Sequence, residues 1–272
     1  MDTILDRIVA HKKLEVERRQ SQHPIEALMD SDGYGLPRRS LCKALENSKD
    51  CGIIAEFKRK SPSQDDIKLG ADPVAVAQGY ARAGAAAISC LTDVQFFGAR
   101  PDDIDRIRKA VDLPIIRKDF IIDAYQVHEA RAMGADAILL IAACLSPQQL
   151  HELAEEAGEL SLQVVCEVHN EDEVAKISPS VDIIGVNNRD LGTFRVDTNR
   201  SLELEPLLPP GILRISESGI EDPQTVVRLR REKFKGFLIG TYFMRQADPG
   251  QACADFIRKT HSIEDTYKDA IA

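Results

Sequence analysis

Lys118 stands just beyond a short apolar run, Leu113–Ile116, that opens around Pro114, and Asp119 follows it directly. A strand over 113–116 carries Lys118 to its carboxyl end. An ammonium group there is costly to bury and its pKa shifts readily, which suits acid chemistry. The arrangement recurs along the chain. Ile54, Glu56 and Lys58 alternate to one side of the run 52–57. Glu167 ends the run Val164-Val165-Cys166, and Asn187-Asn188-Arg189-Asp190 follow another. Ser216-Glu217-Ser218-Gly219 and Gly240-Thr241 follow two more. Gathered at one rim, such lysines and glutamates let an enzyme hold one group as acid and another as base.

Each residue also has a plainer reading. Lys58 with Glu56 reads as a rim ion pair, Lys118 with Asp119 as a solvated pair, and Arg189 with Asp190 as a surface pair. Asn187 and Asn188 are ordinary turn residues. His169 reads as a loop residue without a partner pattern. Glu167 is the hardest to dismiss, because a carboxylate inside an apolar strand needs a partner.

The elements that must position these groups alternate strictly. Strands are expected over 52–57, 85–91, 113–116, 137–141, 162–168, 181–186, 213–215 and 236–239. Helices between them start at Asp72-Pro73, about 102, Asp123, Ser146-Pro147, Asn170 and Asp222-Pro223, with proline in the first turn after Asp72, Ser146 and Asp222. A helix over 251–260 closes the chain. Strands apolar on both faces, each followed by a helix, imply a parallel sheet covered by helices. Eight such units point to an α/β fold of the closed (β/α)₈ (TIM) barrel type, with a doubly wound open sheet as the alternative. Residues 1–48, with Ile4, Ile8 and Leu14 near helical spacing and a second piece after Pro24, read as a helical extension. Residues 49–272 read as the barrel, in one domain overall.

Composition agrees. At 272 residues and 43% hydrophobic, the chain matches one barrel of about 250 residues. A net charge of -9 argues against a nucleic-acid surface. The six cysteines show no CxxC pair and read as small buried hydrophobes in a reducing cytoplasm. The N-terminus lacks the apolar core of a signal peptide, and no run reaches the ~18 residues of a membrane helix.

In such a barrel the loops after the seventh and eighth strands commonly hold a phosphate, where glycine permits close approach. Ser218, Gly219, Gly240 and Thr241 occupy those loops, and Ser61-Pro62-Ser63 offers a further hydroxyl. The alternative is that the glycines only turn the chain.

The segments IIAEFKRKSPS, LTDVQFFGA, PIIRKDFIID, ADAILLIAACL, CEVHN, IIGVNNRDL, SESGI and LIGTYFMR resemble, in order, the indole-3-glycerol phosphate synthases of tryptophan biosynthesis. The resemblance implies a (β/α)₈ barrel with an N-terminal helical extension. It also implies ring closure and decarboxylation of 1-(2-carboxyphenylamino)-1-deoxyribulose 5-phosphate. By matching position it makes Lys118 the general acid and Glu167 the base of the later dehydration. Lys58 meets the substrate carboxylate, and the division of acid roles between the two lysines stays open. Glu56 and Glu217 are orienting carboxylates. Asn187, Arg189 and Ser61 are substrate-side contacts, with Phe96 and Phe97 as an aromatic loop after the second strand. Ser218, Gly219, Gly240 and Thr241 form the phosphate site. No metal or organic cofactor is expected. The partners implied are a small phosphorylated substrate and transient contact with other enzymes of the pathway. Gln64-Asp65-Asp66 departs from the family pattern, which has a glycine there, and Thr241-Tyr242-Phe243 is bulkier than usual. A phosphoribosylanthranilate isomerase calls for a cysteine or aspartate acid–base pair and fits less well. A phosphosugar sensor would lack a proton-transfer residue, yet Lys58, Lys118 and Glu167 are all present.

Overall fold

The apolar runs form strands β1 (Ile53–Phe57), β2 (Ala87–Leu91), β3 (Ile115–Lys118), β4 (Ala137–Ile141), β5 (Gln163–Val168), β6 (Ile183–Asn187), β7 (Leu213–Glu217) and β8 (Gly236–Ile239). In this computed structural model, which describes residues 3–271 apart from 63, 191 and 194 and side chains as far as 267, they pair in chain order. All pairs are parallel, and β8 returns to β1 through Ile53↔Phe237 and Ile54↔Leu238. The sheet is therefore a closed barrel, not an open doubly wound one.

Alternation along each strand sorts the side chains. Ile54, Ile116, Leu139, Val165, Ile183, Ile215 and Leu238 point inward and fill the barrel. Ile53, Ala55, Ile115, Ile138, Val164 and Ile184 point outward against the helices. The same parity carries Glu56, Lys118, Glu167, Asn187 and Glu217 inward one step nearer the carboxyl ends. The strand β3 extends to Lys118 and β7 to Glu217, so these residues belong to strands instead of following them. A group on a strand paired on both sides is held more firmly than one on a loop.

Three helices precede the barrel: α1 (Ile4–Gln22), α2 (Ile25–Met29) and α3 (Leu41–Glu46). Then α4 (Pro73–Ala83) follows β1, α5 (Val94–Phe97) and α6 (Asp103–Ala110) follow β2, and α7 (Ala124–Met133) follows β3. Next, α8 (Pro147–Glu159) follows β4, α9 (Glu171–Val174) β5, α10 (Asn199–Leu204) β6 and α11 (Pro223–Arg231) β7. Last, α12 (Thr241–Met244) and α13 (Pro249–Ile271) follow β8. The expected caps are in place. The Asp72 side chain accepts from the Ala75 N–H at 3.0 Å, and Ser146 forms a reciprocal capping box with Gln149.

Three expectations need correction. The closing helix runs over 249–271 instead of 251–260, because no glycine or proline interrupts the residues after 260. The helix after Asn170 is a single turn, Glu171–Val174, shorter than the expected 171–177. Leu14 is not on the buried stripe of α1 and is 67% exposed. Six residues past Ile8 is roughly 240° around a helix, so the buried face is instead Ile8, Lys12, Glu15 and Val16.

The first 48 residues serve both ends of the barrel. Ile4, Leu5 and Ile8 of α1 face the cavity at the carboxyl ends of the strands. Leu41 and Leu45 of α3 close the opposite end beneath the inner core. Among the described residues no helix is long and apolar enough to cross a membrane.

Candidate active site

A cavity of about 520 Å³ opens at the carboxyl ends of the strands, within the usual range for small-molecule sites. It brings together Glu56, Lys58, Ser61, Phe97, Lys118, Glu167, Asn187, Arg189, Glu217, Ser218, Gly219, Gly240 and Thr241. Phe96 is not brought to it. Adjacent residues on a helical turn point about 100° apart, and the Phe96 ring instead meets His11 edge-on at 5.7 Å. Ser63 lies outside the described residues.

Lys118 is the centre of the charge arrangement. Its Nζ donates to Glu217 Oε2 at 2.7 Å and to Glu167 Oε2 at 3.2 Å. Burial alone would make this lysine easier to deprotonate, but Glu217 and then Glu167 outweigh it and hold its pKa above the ordinary value. The solvated pair with Asp119 is not what forms. Lys118 points into the barrel, while Asp119 points away and is buried.

The two glutamates differ. Burial raises Glu217, and Glu167 and Glu56 add to it against the pull of Lys118, so its pKa is pushed up to about 7. Its Oε1 is buried without a hydrogen-bond partner among the described residues, which suits a carboxyl that keeps a proton near neutrality. Burial also works against the Glu167 carboxylate, but Lys118 first and His169 next overcome it, holding Glu167 below the usual carboxylate range. The site thus holds one carboxyl ready to carry a proton beside one held ionised.

The second lysine repeats the motif at β1. Lys58 Nζ lies 2.7 Å from Glu56 Oε1. Two glycines make room for the carboxylates: a Cβ at Gly240 would come 2.3 Å from Glu56 Oε1, and one at Gly185 2.2 Å from Glu217 Oε1. At β6, Asn187 Oδ1 accepts the Arg189 N–H at 2.9 Å, fixing the turn that brings Arg189 to the cavity. Asn188 is a fixed joint and not a loose turn residue, donating to Ser216 Oγ and to the Ser218 carbonyl.

After β7 the chain bends sharply, with positive φ at both Ser218 and Gly219. At Gly219 a side chain would be strained, and its Cβ would meet Val196 Cγ1 at 2.1 Å. The Gln64 side chain of the divergent Gln64-Asp65-Asp66 loop accepts from Arg245 Nη2 at 2.6 Å, which ties this loop to the turn after β8.

Sequence reasoning missed three contributors. Ile4, Leu5 and Ile8 were assigned only to an extension. Arg245 lines the cavity, but nothing in its local sequence marks it. His169, read as a loop residue, is buried between two carboxylates: Nε2 lies 3.3 Å from Glu167 Oε1 and Nδ1 2.9 Å from Glu173 Oε2. A signal existed, since His169 shares the strand parity of Glu167 and Glu173 follows at i+4. Of the described residues, only Cys51, His261 and Glu264, at the far end of the barrel, bring metal-type ligand atoms within 4.8 Å of one another. Arg230 already pairs with Glu264 there at 2.6 Å.

A closed parallel barrel with this mouth of lysines, carboxylates and glycine-edged turns defines a (β/α)₈-barrel enzyme. Solved structures agree on the fold alone. The tryptophan synthase complex of Pyrococcus furiosus matches with a TM-score of 0.58 at 14% identity, covering 79% of this chain and 99% of that one. The tryptophan synthase alpha subunit of Legionella pneumophila matches at 0.59 and 14%, covering 83% and 98%. Sequence comparisons go further. The family model described as indole-3-glycerol phosphate synthase matches residues 5–256. Relatives carrying that name include one from Bacteroides thetaiotaomicron, 47% identical over 95% of this chain and 99% of its own. Others are from Acinetobacter baylyi, 44% identical over 92% and 94%, and Salinibacter ruber, 45% over 92% and 93%. The chain belongs to the indole-3-glycerol phosphate synthase family. Its reaction is the carboxy-lyase step of tryptophan biosynthesis that converts 1-(2-carboxyphenylamino)-1-deoxyribulose 5-phosphate to indole-3-glycerol phosphate, CO₂ and water.

Proposed function

We propose that Lys118 is the general acid of this ring closure and Glu167 the general base of the dehydration. The observation that carries the reading is the Lys118 ammonium on the cavity wall, between Glu217 at 2.7 Å and Glu167 at 3.2 Å. Attack of the aromatic ring carbon on the ketone builds negative charge on the ketone oxygen. An ammonium aimed at that oxygen stabilises the charge and then protonates it. Because its carboxylate neighbours hold Lys118 as a cation, it gives up the proton only as the oxyanion forms. Loss of CO₂ follows. In the final dehydration Glu167 takes a proton from the intermediate while the new hydroxyl leaves as water.

Glu217 and Glu56 orient Lys118 and Lys58 through their 2.7 Å contacts. Lys58 meets the substrate carboxylate and donates to the departing hydroxyl. Phe97 packs on the aromatic ring, and Asn187, Arg189 and Ser61 contact the chain. Ser218, Gly219, Gly240 and Thr241 receive the phosphate, whose anchoring lets the ring carbon reach the ketone. No metal or organic cofactor enters. Residues 1–48 act as a helical extension of a single domain whose barrel spans 49–272. The enzyme works in the cytoplasm, with other enzymes of the pathway as transient partners.

The test is the rise of indole fluorescence on adding substrate, with Glu167→Gln alongside. The amide keeps the shape and loses the base, so kcat should fall by about 10²–10⁴-fold. A variant that keeps near-normal kcat removes Glu167 from the role.

A further inference from the structure

The Glu167 carboxylate is bracketed. One oxygen faces Lys118 from β3, and the other faces His169 Nε2, two residues further along its own chain. The His169 ring is anchored on its far side. Glu173 Oε2 accepts from the His169 backbone N–H at 2.8 Å and meets Nδ1 at 2.9 Å, while Glu173 Oε1 accepts from Asn170 Nδ2 at 2.8 Å. Nδ1 is hydrogen-bonded to Glu173, and Nε2 stands 3.3 Å from Glu167 Oε1, an ion-pair distance without hydrogen-bond alignment. A neutral imidazole would turn a lone pair toward one of the two carboxylates, so the arrangement calls for a proton on each nitrogen. His169 and Glu173 are almost completely buried, and water does not screen them.

We infer that His169, held by Glu173, is a positioning residue that keeps Glu167 ionised and aimed into the cavity throughout the reaction. The inference rests on the reading of Glu167 as base. Lys118 is the other cation on Glu167, but in that reading it surrenders its proton during ring closure. At that moment Glu167 would stand beside Glu217 without the charge of Lys118. His169 contacts no cavity and loses no proton, so its charge persists through the step in which Glu167 must act. Burial opposes this charge, but Glu167 and Glu173 more than offset it and raise the imidazole pKa to about 9.

The other groups nearby do not supply the same charge. From β6, Asn187 is neutral. The thiols of Cys166 on β5 and Cys144 after β4 are pushed up to about 12 by burial and stay protonated. Lys176, after α9, spends its ammonium on the carbonyls of Ala142 and Leu145. Asp6 from α1 adds only distant negative charge beside Cys144.

The test compares kcat against pH for the wild type, His169→Gln, Glu173→Gln and Glu167→Gln, with a denaturation midpoint for each. Without the imidazolium, Glu167 holds its proton to higher pH. His169→Gln should therefore move the acidic limb of kcat up by about one unit, and by loosening the aim of the carboxylate it should lower kcat at neutral pH about tenfold, with KM within twofold. Glu173→Gln leaves the ring but weakens its hold on the second proton, so the imidazolium should discharge with a midpoint below about pH 9 and kcat should fall as pH rises through it. An unmoved acidic limb and a kcat within twofold in folded His169→Gln would overturn the inference and reduce the pair to a fastening of α9 onto β5. If His169→Gln does not fold, the same decision is read from Glu173→Gln. Should Glu167→Gln itself keep turnover, the base assignment fails, and that outcome is distinct from an unmoved limb in a wild type that depends on Glu167.

Discussion

Two buried charge clusters meet on β3, one on each side of the strand. Lys118 turns inward to Glu167 and Glu217, at the wall of an open cavity. Its neighbours Arg117 and Asp119 turn outward into an enclosed network. There Lys12 of α1 reaches Glu15 at 2.7 Å, Asp93 at 2.8 Å and Asp119 at 2.9 Å. Arg117 joins Asp119 to Glu129 of α7, and Thr92 donates to Asp119 at 2.7 Å. Burial weakens the Lys12 charge, but Asp119 and Asp93 prevail and push its pKa up to about 12. Against its own burial, Asp119 is held below the usual carboxylate range by Lys12 and Arg117.

The difference lies in what each cluster faces. The outer network is a set of ion pairs whose Lys12, Asp93, Arg117 and Asp119 side chains are closed to solvent, and it ties α1, α5 and α7 to the barrel. Asp93 carries that restraint to the mouth, since its Oδ1 accepts the Phe96 N–H that starts α5 and sets Phe97 at the cavity. The inner cluster lies on the wall of a cavity that a substrate can enter. Glu217 keeps an oxygen without a partner among the described residues. One cluster holds shape, and the other holds reactivity in reserve.

The comparison can be broken at three points. The largest effect is expected at Lys118→Met, which should lower kcat by about 10²–10⁴-fold while unfolding stability changes by no more than about 1 kcal/mol, because Glu217 can take up a proton in its place. Stopped assays with a denaturant titration read both. Next is Lys12→Met, which strands Asp93 without its cation and leaves Asp119 only Arg117. Removing one partner of a fully buried charge set costs about 3–5 kcal/mol, visible as a lower denaturation midpoint. A midpoint that does not move would show that the outer network is not structural. Smallest is Gly219→Ala, where a Cβ would meet Val196 at a strained φ of +73°. It should raise KM about tenfold, roughly 1.4 kcal/mol, with kcat little changed. An unchanged KM would detach the phosphate from that turn.

The barrel was legible because its period is local: apolar runs, capped helices and proline at first turns recur unit by unit. The inward glutamates and lysines could be read by strand parity alone. What escaped depends on contacts far apart in sequence. Lys12 occupies a core position on the helical stripe of Ile8 and Val16, yet a lysine there cannot be assigned until the Asp93 and Asp119 loops are folded around it. Leu14 looked like the stripe and is exposed. Phe96 and Phe97 are indistinguishable as neighbours, and only the turn of α5 decides which one faces the cavity. His169 obeyed the parity rule, but its meaning came from Glu173 on the next helical turn.

The most direct test of this division measures kcat at saturating substrate for Lys118→Met and Lys12→Met in one assay, each corrected for its folded fraction. The account predicts that folded Lys12→Met stays within about tenfold of the wild type while Lys118→Met falls at least tenfold further. Equal losses in the two folded variants would contradict it, because the enclosed cluster would then share in the chemistry.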